Sequence, residues 1–485
     1  MLPNVKVTVN EEINLVSSRL NTFLPLLILK TKTGPIGTET LIKNEKKFIE
    51  IFGTPDSSTP EAFGVLQYIK SYGQAYIVRV VGTGATEATA KIKVSSTDLV
   101  DIKSNYKTDT LNGVEVAIVS DTTNNKLYIE TTIEGKVIDS IKENITYSSA
   151  KADELEKALD KIINSFNESQ SYITLTNLYT GKTSEDTKPS SLDNAKATLS
   201  AGVSGNSSVS DAEVIKLIEN YRGSDLGIDA ILVPGFESVE VVTKLANVAH
   251  DSSFIAISNI SGTSAESIAS TALTYPNNES LALYAGKVCF YEDPTIFVPA
   301  SIAAMSAYIT KSTSSKWLAP AGVTRGTLSN VANMEYRFSD SELETLYTNV
   351  VPVNGIKKIS GRGFIVWGQK TTASDNYQYE DRINVVRLIK YLTKEIYSIS
   401  YDYLFEPITD YTYNSWTLRV ESLLDDIKVG NGLSAYRVIM DDTLNTEETK
   451  KENKLIGQVK FKPLEAAEFI EINFVVTDSV EGSEA

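Results

Sequence analysis

The stretch IDAILVPGFESVEVVTKLANVAHDSSFIAI, residues 228–257, contains the pattern that decides the fold class. It begins with a short apolar run, Ile228–Val233, which a Pro-Gly turn ends and which is typical of a buried strand. A second apolar run of strand length follows at Ser253–Ile257. Between them, apolar side chains recur at helical spacing, at Val242, Leu245, Ala246 and Ala249. A strand–helix–strand unit of these lengths predicts two parallel strands with a helix crossing between them.

The same alternation continues in both directions from this unit. A helix is predicted upstream at Asp211–Tyr221. Downstream, a helix at Ser264–Leu273 precedes a strand at Leu283–Tyr291 and a helix at Ser301–Thr310. Strands and helices that alternate in this way predict a parallel sheet with helices on both of its faces.

The first eighty or so residues show the same α/β pattern. Buried strands are predicted at Phe23–Thr31 and Ala75–Val81, and a short helix at Lys43–Phe52. A second helix is predicted to begin at Pro60, because Thr59 precedes it as a cap and proline is favoured at the first helical position.

A different pattern separates the two α/β stretches. From Gly82 onward, short alternating runs are divided by turn pairs such as Asn112-Gly113, which is typical of antiparallel strands. A helix is predicted next, with one apolar face formed by Leu155, Leu159, Ile162 and Phe166. A strand at Ser171–Tyr179 and a Ser/Gly-rich linker at Gly181–Ser210 complete the segment. We therefore expect an antiparallel, sandwich-like β domain inserted into the α/β domain.

Each end of the chain carries a short strand pattern with one apolar face. The apolar positions are Val5, Val7 and Val9 at one end, and Ile470, Ile472, Phe474 and Val476 at the other. A lone strand leaves its backbone groups unpaired, so each must join a sheet. That sheet can belong to the same chain or to a neighbouring subunit, because strand addition is a common way to link subunits. The residues alone leave both alternatives open, and these positions are the candidate intersubunit strands.

These changes of pattern give an expected division of the chain. The parts are an arm with a strand at 1–20, an α/β domain at 21–82 and 205–315, an inserted β-rich domain with its linker at 83–204, and a carboxyl-terminal domain at 316–485 that contains a long helix at 381–399 and the terminal strand. The expected fold class is therefore multidomain, α/β and α+β, with a discontinuous core, a sandwich-like insertion and terminal strand-exchange arms.

Composition excludes several kinds of function. The formal charge of −16 argues against a nucleic-acid partner, whose phosphates would repel such a surface. No apolar run reaches the roughly 18 residues that a membrane helix needs, so membrane insertion is not expected, nor is a signal peptide. The single cysteine, Cys289, cannot form a disulfide within the chain, which fits folding in a reducing cytoplasm. One histidine and one cysteine leave little material for a zinc site or a histidine-based triad.

The residues that could carry chemistry all have simpler explanations. Gly82-Thr-Gly84 lacks the third glycine and the following helix of a dinucleotide site, so a domain boundary is favoured. His250 lies at the end of a predicted helix, where the helix dipole favours it, and Cys289 lies in an apolar strand and fits core packing. Asp441-Asp442 lacks the ligand ladder of a calcium loop, and Glu292-Asp293 precedes a proline; both favour turns. We therefore expect no enzyme activity, no cofactor, no metal and no catalytic residue.

A series of short motifs runs along the chain over about residues 20–476: Gly34–Ile36, Phe48, Phe52–Gly53, Gly73–Val80, Ile231–Gly235, Lys316–Gly322, Asn354–Ile356, Gly361–Gly363, Val366–Gly368, Asp381–Arg382, Phe405–Pro407, Trp416, Arg419–Val420, Gly432–Leu433, Asp441–Asp442, Asn445–Thr446 and Leu464–Ile470. In these motifs and in their order the chain resembles contractile tail sheath proteins, which form the sheath of phage tails, R-type bacteriocins and related injection machines. The family usually has a second basic residue after Arg382, where this chain has Ile383.

The resemblance implies a structural subunit of a contractile sheath. Such subunits stack as hexameric rings around an inner tail tube protein, with baseplate and tail terminator proteins at the ends. Their terminal segments exchange strands with neighbours, and contraction drives the tube through a target envelope, as in viral genome ejection. The particle, a virion tail or a bacteriocin, is assembled in the cytoplasm of the host bacterium. The alternative is a soluble α/β enzyme with an accessory β domain, which would require a polar constellation in the sheet cleft.

Overall fold

The computed structural model describes residues 23–121, 123–146, 150–169, 172–189, 191–192, 195–309, 316–373 and 380–468. Its strands are β1 (Pro25–Leu29), β2 (Thr40–Ile42), β3 (Ala75–Arg79), β4 (Glu87–Val94), β5 (Thr97–Lys107), β6 (Glu115–Asp121), β7 (Lys126–Ile133), β8 (Lys136–Asn144), β9 (Ile173–Asn177), β10 (Lys196–Thr198), β11 (Ala230–Leu232), β12 (Ile255–Ile260), β13 (Leu281–Ala285), β14 (Lys287–Phe290), β15 (Phe297–Pro299), β16 (Thr327–Leu328), β17 (Val331–Met334), β18 (Gly355–Ile359), β19 (Gly363–Trp367), β20 (Leu433–Ile439) and β21 (Gln458–Pro463).

Its α-helices are α1 (Glu45–Phe52), α2 (Pro60–Tyr72), α3 (Ala152–Ser169), α4 (Asp211–Glu219), α5 (Val239–His250), α6 (Ala265–Ala272), α7 (Ala300–Ala304), α8 (Gly322–Arg325), α9 (Asp340–Thr348), α10 (Ile383–Tyr401), α11 (Asp410–Val429) and α12 (Glu447–Lys451).

A six-stranded sheet forms the centre of the fold, in the order β13-β12-β11-β1-β3-β2. All neighbouring pairs from β13 to β3 are parallel, and only β2 runs antiparallel to its neighbour. β1, β11, β12 and β13 are buried along their whole length, as expected of a parallel sheet covered on both faces. The prediction of a parallel α/β sheet is confirmed, and so is the predicted start of α2, with Thr59 as cap and Pro60 at the first helical position.

Gly286 divides the single strand predicted at Leu283–Tyr291, and that prediction was wrong. Its φ of 80° lies in the left-handed region, which glycine adopts at little cost, so the chain turns there and changes sheets. β13 before it belongs to the central sheet, and β14 after it pairs antiparallel with β15 and β17. The helix predicted at Ser301–Thr310 is also shorter than expected, because α7 passes into a 3-10 turn at Met305–Tyr308.

The segment between β3 and α4 has a hydrophobic core of its own. It contains two antiparallel sheets, one of β4, β5 and β9 and one of β10, β6, β7 and β8. The apolar face predicted for α3 is confirmed, since Leu155, Leu159, Ile162 and Phe166 are all buried in this core together with side chains from both sheets. The chain therefore places a mixed α and β unit between two halves of the central sheet.

Arg79, the last residue of β3, lies where this segment meets the central sheet. Its guanidinium is fully buried and donates hydrogen bonds to the carbonyls of Gly34 (3.1 Å), Ser204 (3.2 Å) and Lys32 (3.4 Å). Burial lowers the pKa of Arg79 to about 10. Arg79 thus links the end of β3 to the returning chain at Ser204 and to the loop after β1 at Lys32 and Gly34.

The part after residue 316 forms a third core. Apolar side chains of α10, α11 and the β20–β21 hairpin pack around Trp317 and Trp416. Lys390 of α10 ties this part to the central domain, because its Nζ donates to the carbonyls of Ser252 (2.6 Å), Ala249 (2.8 Å) and His250 (2.9 Å) at the end of α5. The described chain is therefore a mixed α/β fold with several sheets, as predicted.

Candidate assembly interface

The structure does not test the seven predicted intersubunit strand positions. The residues concerned, Val5, Val7, Val9, Ile470, Ile472, Phe474 and Val476, lie outside the described residues. The structure does describe the residues next to these segments in the chain, around Phe23 and around Glu468, and we build the candidate interface from them.

The chain enters the body beside the amino end of β1. Phe23 is buried, and its ring lies 5.6 Å from that of Tyr308. The backbone of Leu24 is held by Asp229, whose carboxylate accepts from the Leu24 N–H at 2.8 Å and whose own N–H donates to the Leu24 carbonyl at 2.9 Å. The position of the chain is thus fixed immediately after residue 22.

Glu468 is the last described residue, and its carboxylate is held by three donors. Arg382 Nε lies 2.7 Å and Gln369 Nε2 lies 3.0 Å from Glu468 Oε1, and the Tyr347 hydroxyl lies 3.0 Å from Oε2. We call this set, Tyr347, Gln369 and Arg382, the Glu468 socket. Burial, with the added effect of the nearby Glu468 charge, raises the pKa of Tyr347, so the phenol stays protonated and donates.

The two-stranded β20–β21 hairpin precedes Glu468 in the chain. β20 and β21 pair from Leu433–Pro463 to Ile439–Gln458, and within the described residues neither outer edge pairs with a further strand. One face of the hairpin packs on α11. Unpaired strand edges carry free backbone donors and acceptors, so these two edges are candidate positions for a further strand.

Glycine at position 432 allows the hairpin to start close against the third core. A Cβ there would lie 2.5 Å from Ile427 Cγ2 and 2.9 Å from the Trp317 ring, closer than real contacts allow. The Trp317 indole N–H also donates to the Gly430 carbonyl at 2.8 Å. The position of the hairpin is therefore set by close packing and not by a flexible loop.

Large apolar side chains are exposed on the same part of the chain. They belong to α10, α11 and the loop between them: Tyr397, Tyr401, Leu404, Phe405, Tyr411, Leu418 and Val429. Phe405 is 94% exposed and has a φ of 68°, which is unfavourable for a bulky residue. Contiguous exposed apolar surface marks protein–protein contacts, which makes these side chains candidates for such a contact.

The residues considered for chemistry lie apart and have ordinary partners. His250 ends α5, as predicted, and its Nδ1 lies 2.5 Å from Glu279 Oε1. Partial burial alone would raise the pKa of Glu279. The hydrogen bond with His250 acts in the opposite direction, and the net pKa of Glu279 is lowered. Cys289 is buried in β14, as predicted, and burial raises the pKa of its thiol.

The acidic pairs form turns, as the sequence predicted. Asp441 accepts from the Thr443 N–H at 2.9 Å, and Asp293 accepts from the Thr295 N–H at 3.0 Å. Gly82-Thr-Gly84 leads into β4 and not into a helix. No group of three or more His, Cys, Asp or Glu within the described ranges could hold a metal ion. No helix in the described part of the chain is long and apolar enough to cross a membrane.

Sequence reasoning named Arg382 and Glu468 as parts of the family resemblance but did not pair them. The two residues are separated by 86 positions in the chain, and Tyr347 and Glu468 by 121. Only the fold brings these residues together, and no spacing or periodicity could have shown it.

Two curated sequence relatives are tail sheath proteins of bacteriophages. The chain is 30% identical over 191 residues to the tail sheath protein of Vibrio phage KVP40, and 32% identical over 190 residues to that of Enterobacteria phage T4. Each match covers 39% of this chain and 28% of the relative. The match thus spans less than a third of the length of these curated relatives. No protein-family model matches the chain.

Similar solved structures extend over nearly the whole chain. The sheath tail protein of Desulfitobacterium hafniense has a TM-score of 0.59 at 10% identity, with 95% of this chain and 100% of that chain covered. The contracted sheath complex of an extracellular contractile injection system has a TM-score of 0.56 at 14% identity, with 99% of each chain covered. The fold is therefore that of sheath proteins, and the resemblance seen in the sequence is confirmed.

Proposed function

We propose that the chain is the structural subunit of a contractile tail sheath. In this proposal, copies stack as hexameric rings around an inner tube, and contraction drives the tube through a target cell envelope. The observation that carries it is the extent of the structural likeness. The alignments with two solved sheath proteins cover 95% and 99% of this chain, so the likeness is not confined to one domain. Shared sequence with two phage tail sheath proteins supports the same assignment.

We further propose that the two ends of the chain exchange strands with neighbouring subunits. The two unpaired edges of the β20–β21 hairpin would accept them, because each edge offers backbone donors and acceptors in extended geometry. The apolar positions of the terminal segments, such as Val7 and Ile472, would then cover apolar side chains that one subunit alone leaves exposed.

The proposed mechanism needs no bound cofactor and no catalytic step. Energy would be stored when subunits assemble in an extended state and released when their interfaces repack into a compact one. The body around the central sheet and the third core would face the tube, and the sandwich-like insertion at 83–204 would lie outside. Baseplate and tail terminator proteins would bind the ends of the sheath, in a virion tail or a related injection particle.

Removal of residues 1–12 tests the strand exchange. These residues lie outside the described body, and the chain entry at Phe23 and Leu24 is fixed without them. We therefore expect the truncated chain to unfold at the same temperature as the full chain and to form no tubes in negative-stain electron microscopy. Tubes of normal length from the truncated chain would disprove the exchange of the amino-terminal strand.

A further inference from the structure

Residues 464–467 link the hairpin to Glu468, and contacts hold the chain at both ends of this link but not along it. β21 ends at Pro463, which is buried, and the side chains of residues 464–467 are exposed. The last backbone hydrogen bond of the hairpin is donated by the Leu464 N–H to the Gly432 carbonyl, at 3.1 Å. At Glu468 the chain is held again, and the side chain of that residue is only 16% exposed. An exposed link thus joins two fixed points that lie on different parts of the fold.

The donors of the Glu468 socket come from three separate places, each next to residues that share one hydrophobic core with the central sheet; we call this part of the fold the central body. Tyr347 lies in α9, Gln369 follows β19, and Arg382 caps the start of α10. Two of them have further contacts: Gln369 is buried and its carbonyl accepts from the Ile383 N–H at 2.8 Å, and Arg382 also contacts Asp381. A half-buried carboxylate with three donors, one of them charged, is a strong and directional contact.

The contact holds a residue that immediately precedes the proposed terminal strand. The Glu468 side chain is bound through its carboxylate, by Tyr347, Gln369 and Arg382. Its position in the chain is what distinguishes it, since residues 469–485 follow it directly and contain the predicted terminal strand.

We propose that Glu468 and its socket fix the point from which the terminal strand leaves the subunit. The socket sets the register of that strand towards its neighbour, and it transmits tension to the central body and not to the two-stranded hairpin. This inference depends on the proposed function, because it assigns the socket to the strand that links subunits. Without the socket, the strand would start from Pro463, and about five residues or roughly 16 Å of slack would be added.

The test compares two carboxylates of the same link. A nitroxide label is placed on an Ala467→Cys variant; Cys289 is buried, and the chain without the added cysteine is labelled in parallel as a control. Glu468→Ala removes the contact, and Glu465→Ala removes an equal charge from an exposed position three residues earlier. In dilute monomer, we expect Glu468→Ala to shift the label to a fast-motion spectrum and Glu465→Ala to leave the spectrum unchanged.

Polymerisation gives the second measurement. Added slack lowers the effective concentration of the terminal strand at its neighbour, so the critical concentration for tubes should rise by roughly fivefold in Glu468→Ala and not in Glu465→Ala. Equal label mobility in the two variants would overturn the socket as a fixed point. Increased mobility with unchanged polymerisation would overturn its role in the assembly. If the unsubstituted chain forms no tubes either alone or with a candidate tube protein, the proposed function fails, whereas the spectra still decide whether the socket holds the chain.

Discussion

The central sheet and the β20–β21 hairpin differ in how completely the backbone hydrogen-bonding groups of their strands are paired. Strands β1, β11 and β12 have a neighbour on each side and are buried along their whole length. The hairpin has two strands, and each keeps an outer edge that pairs with nothing in the described chain. Exposed edges are a liability that proteins normally cover or charge. The contrast separates a sheet whose strands are paired within the described chain from a hairpin whose outer edges are not, and our proposal is that neighbouring subunits complete the hairpin.

The largest expected effect on the subunit comes from the central sheet. Ile231 lies on β11 between β1 and β12 and is fully buried. Ile231→Ala should lower the free energy of unfolding by about 2–5 kcal/mol, through lost burial and a cavity, as measured by denaturant titration. Val459→Ala, on the half-exposed hairpin strand β21, is the matched control and should cost less than half as much. Equal losses would contradict the division of roles between the two regions.

Lys390 should make the stability of the whole chain depend on pH. Burial lowers the pKa of Lys390 to about 8 from an ordinary value of 10.5. Between these values the unfolded chain binds more protons, so the free energy of unfolding rises with pH, by about 3 kcal/mol at most. The free energy of unfolding of the unsubstituted chain, relative to that of its Lys390→Met variant, should therefore increase between pH 8 and pH 10.5. A difference that is constant over that range would contradict the lowered pKa.

A smaller effect is expected where the hairpin meets the third core. Gly432→Ala places a Cβ within 2.5 Å of Ile427 and within 2.9 Å of Trp317, so neighbours must move. We expect a loss of about 1–3 kcal/mol, with faster hydrogen exchange in α11 and β20 than in the central sheet. Ser434→Ala, at an exposed position of β20, serves as the control. Uniformly faster exchange through the central sheet would show that the two regions are not separate cooperative units.

The smallest effect on the subunit should accompany a large effect on assembly. Phe405 is 94% exposed and has a φ of 68°, which asparagine tolerates better than phenylalanine. Phe405→Asn should therefore change the free energy of unfolding by no more than about 0.5 kcal/mol. Polymerisation should weaken, because apolar contact area between subunits is lost. A variant that unfolds readily would show that Phe405 stabilises the subunit, and a variant that polymerises normally would remove it from the interface.

The sequence predicted the central sheet well because each of its elements is decided locally. Short apolar runs gave β1, β3, β11 and β12, and periodicity gave α5. Local rules failed at Gly286, where one apolar run contains the end of one sheet and the start of another.

The third core was predicted less completely. The helix α11 was missed, although Tyr413, Trp416, Val420, Leu424 and Ile427 recur at helical spacing and are buried. The strand β20 was also missed, because its side chains are mostly exposed and it shows little alternation. The Glu468 socket could not have been predicted at all, since its members are brought together only by the fold. Sites that depend on distant residues are not visible to local pattern analysis.

Negative-stain electron microscopy of the purified full-length chain tests the central claim most directly. The chain is concentrated at neutral pH, alone and with a candidate tube protein from the same particle. Hollow tubes or stacked rings with sixfold end views are predicted, because the proposal assigns the terminal strands and the hairpin edges to contacts between neighbouring subunits. Dispersed monomers at every concentration, both with and without the tube protein, would contradict the proposal that the chain is a sheath subunit.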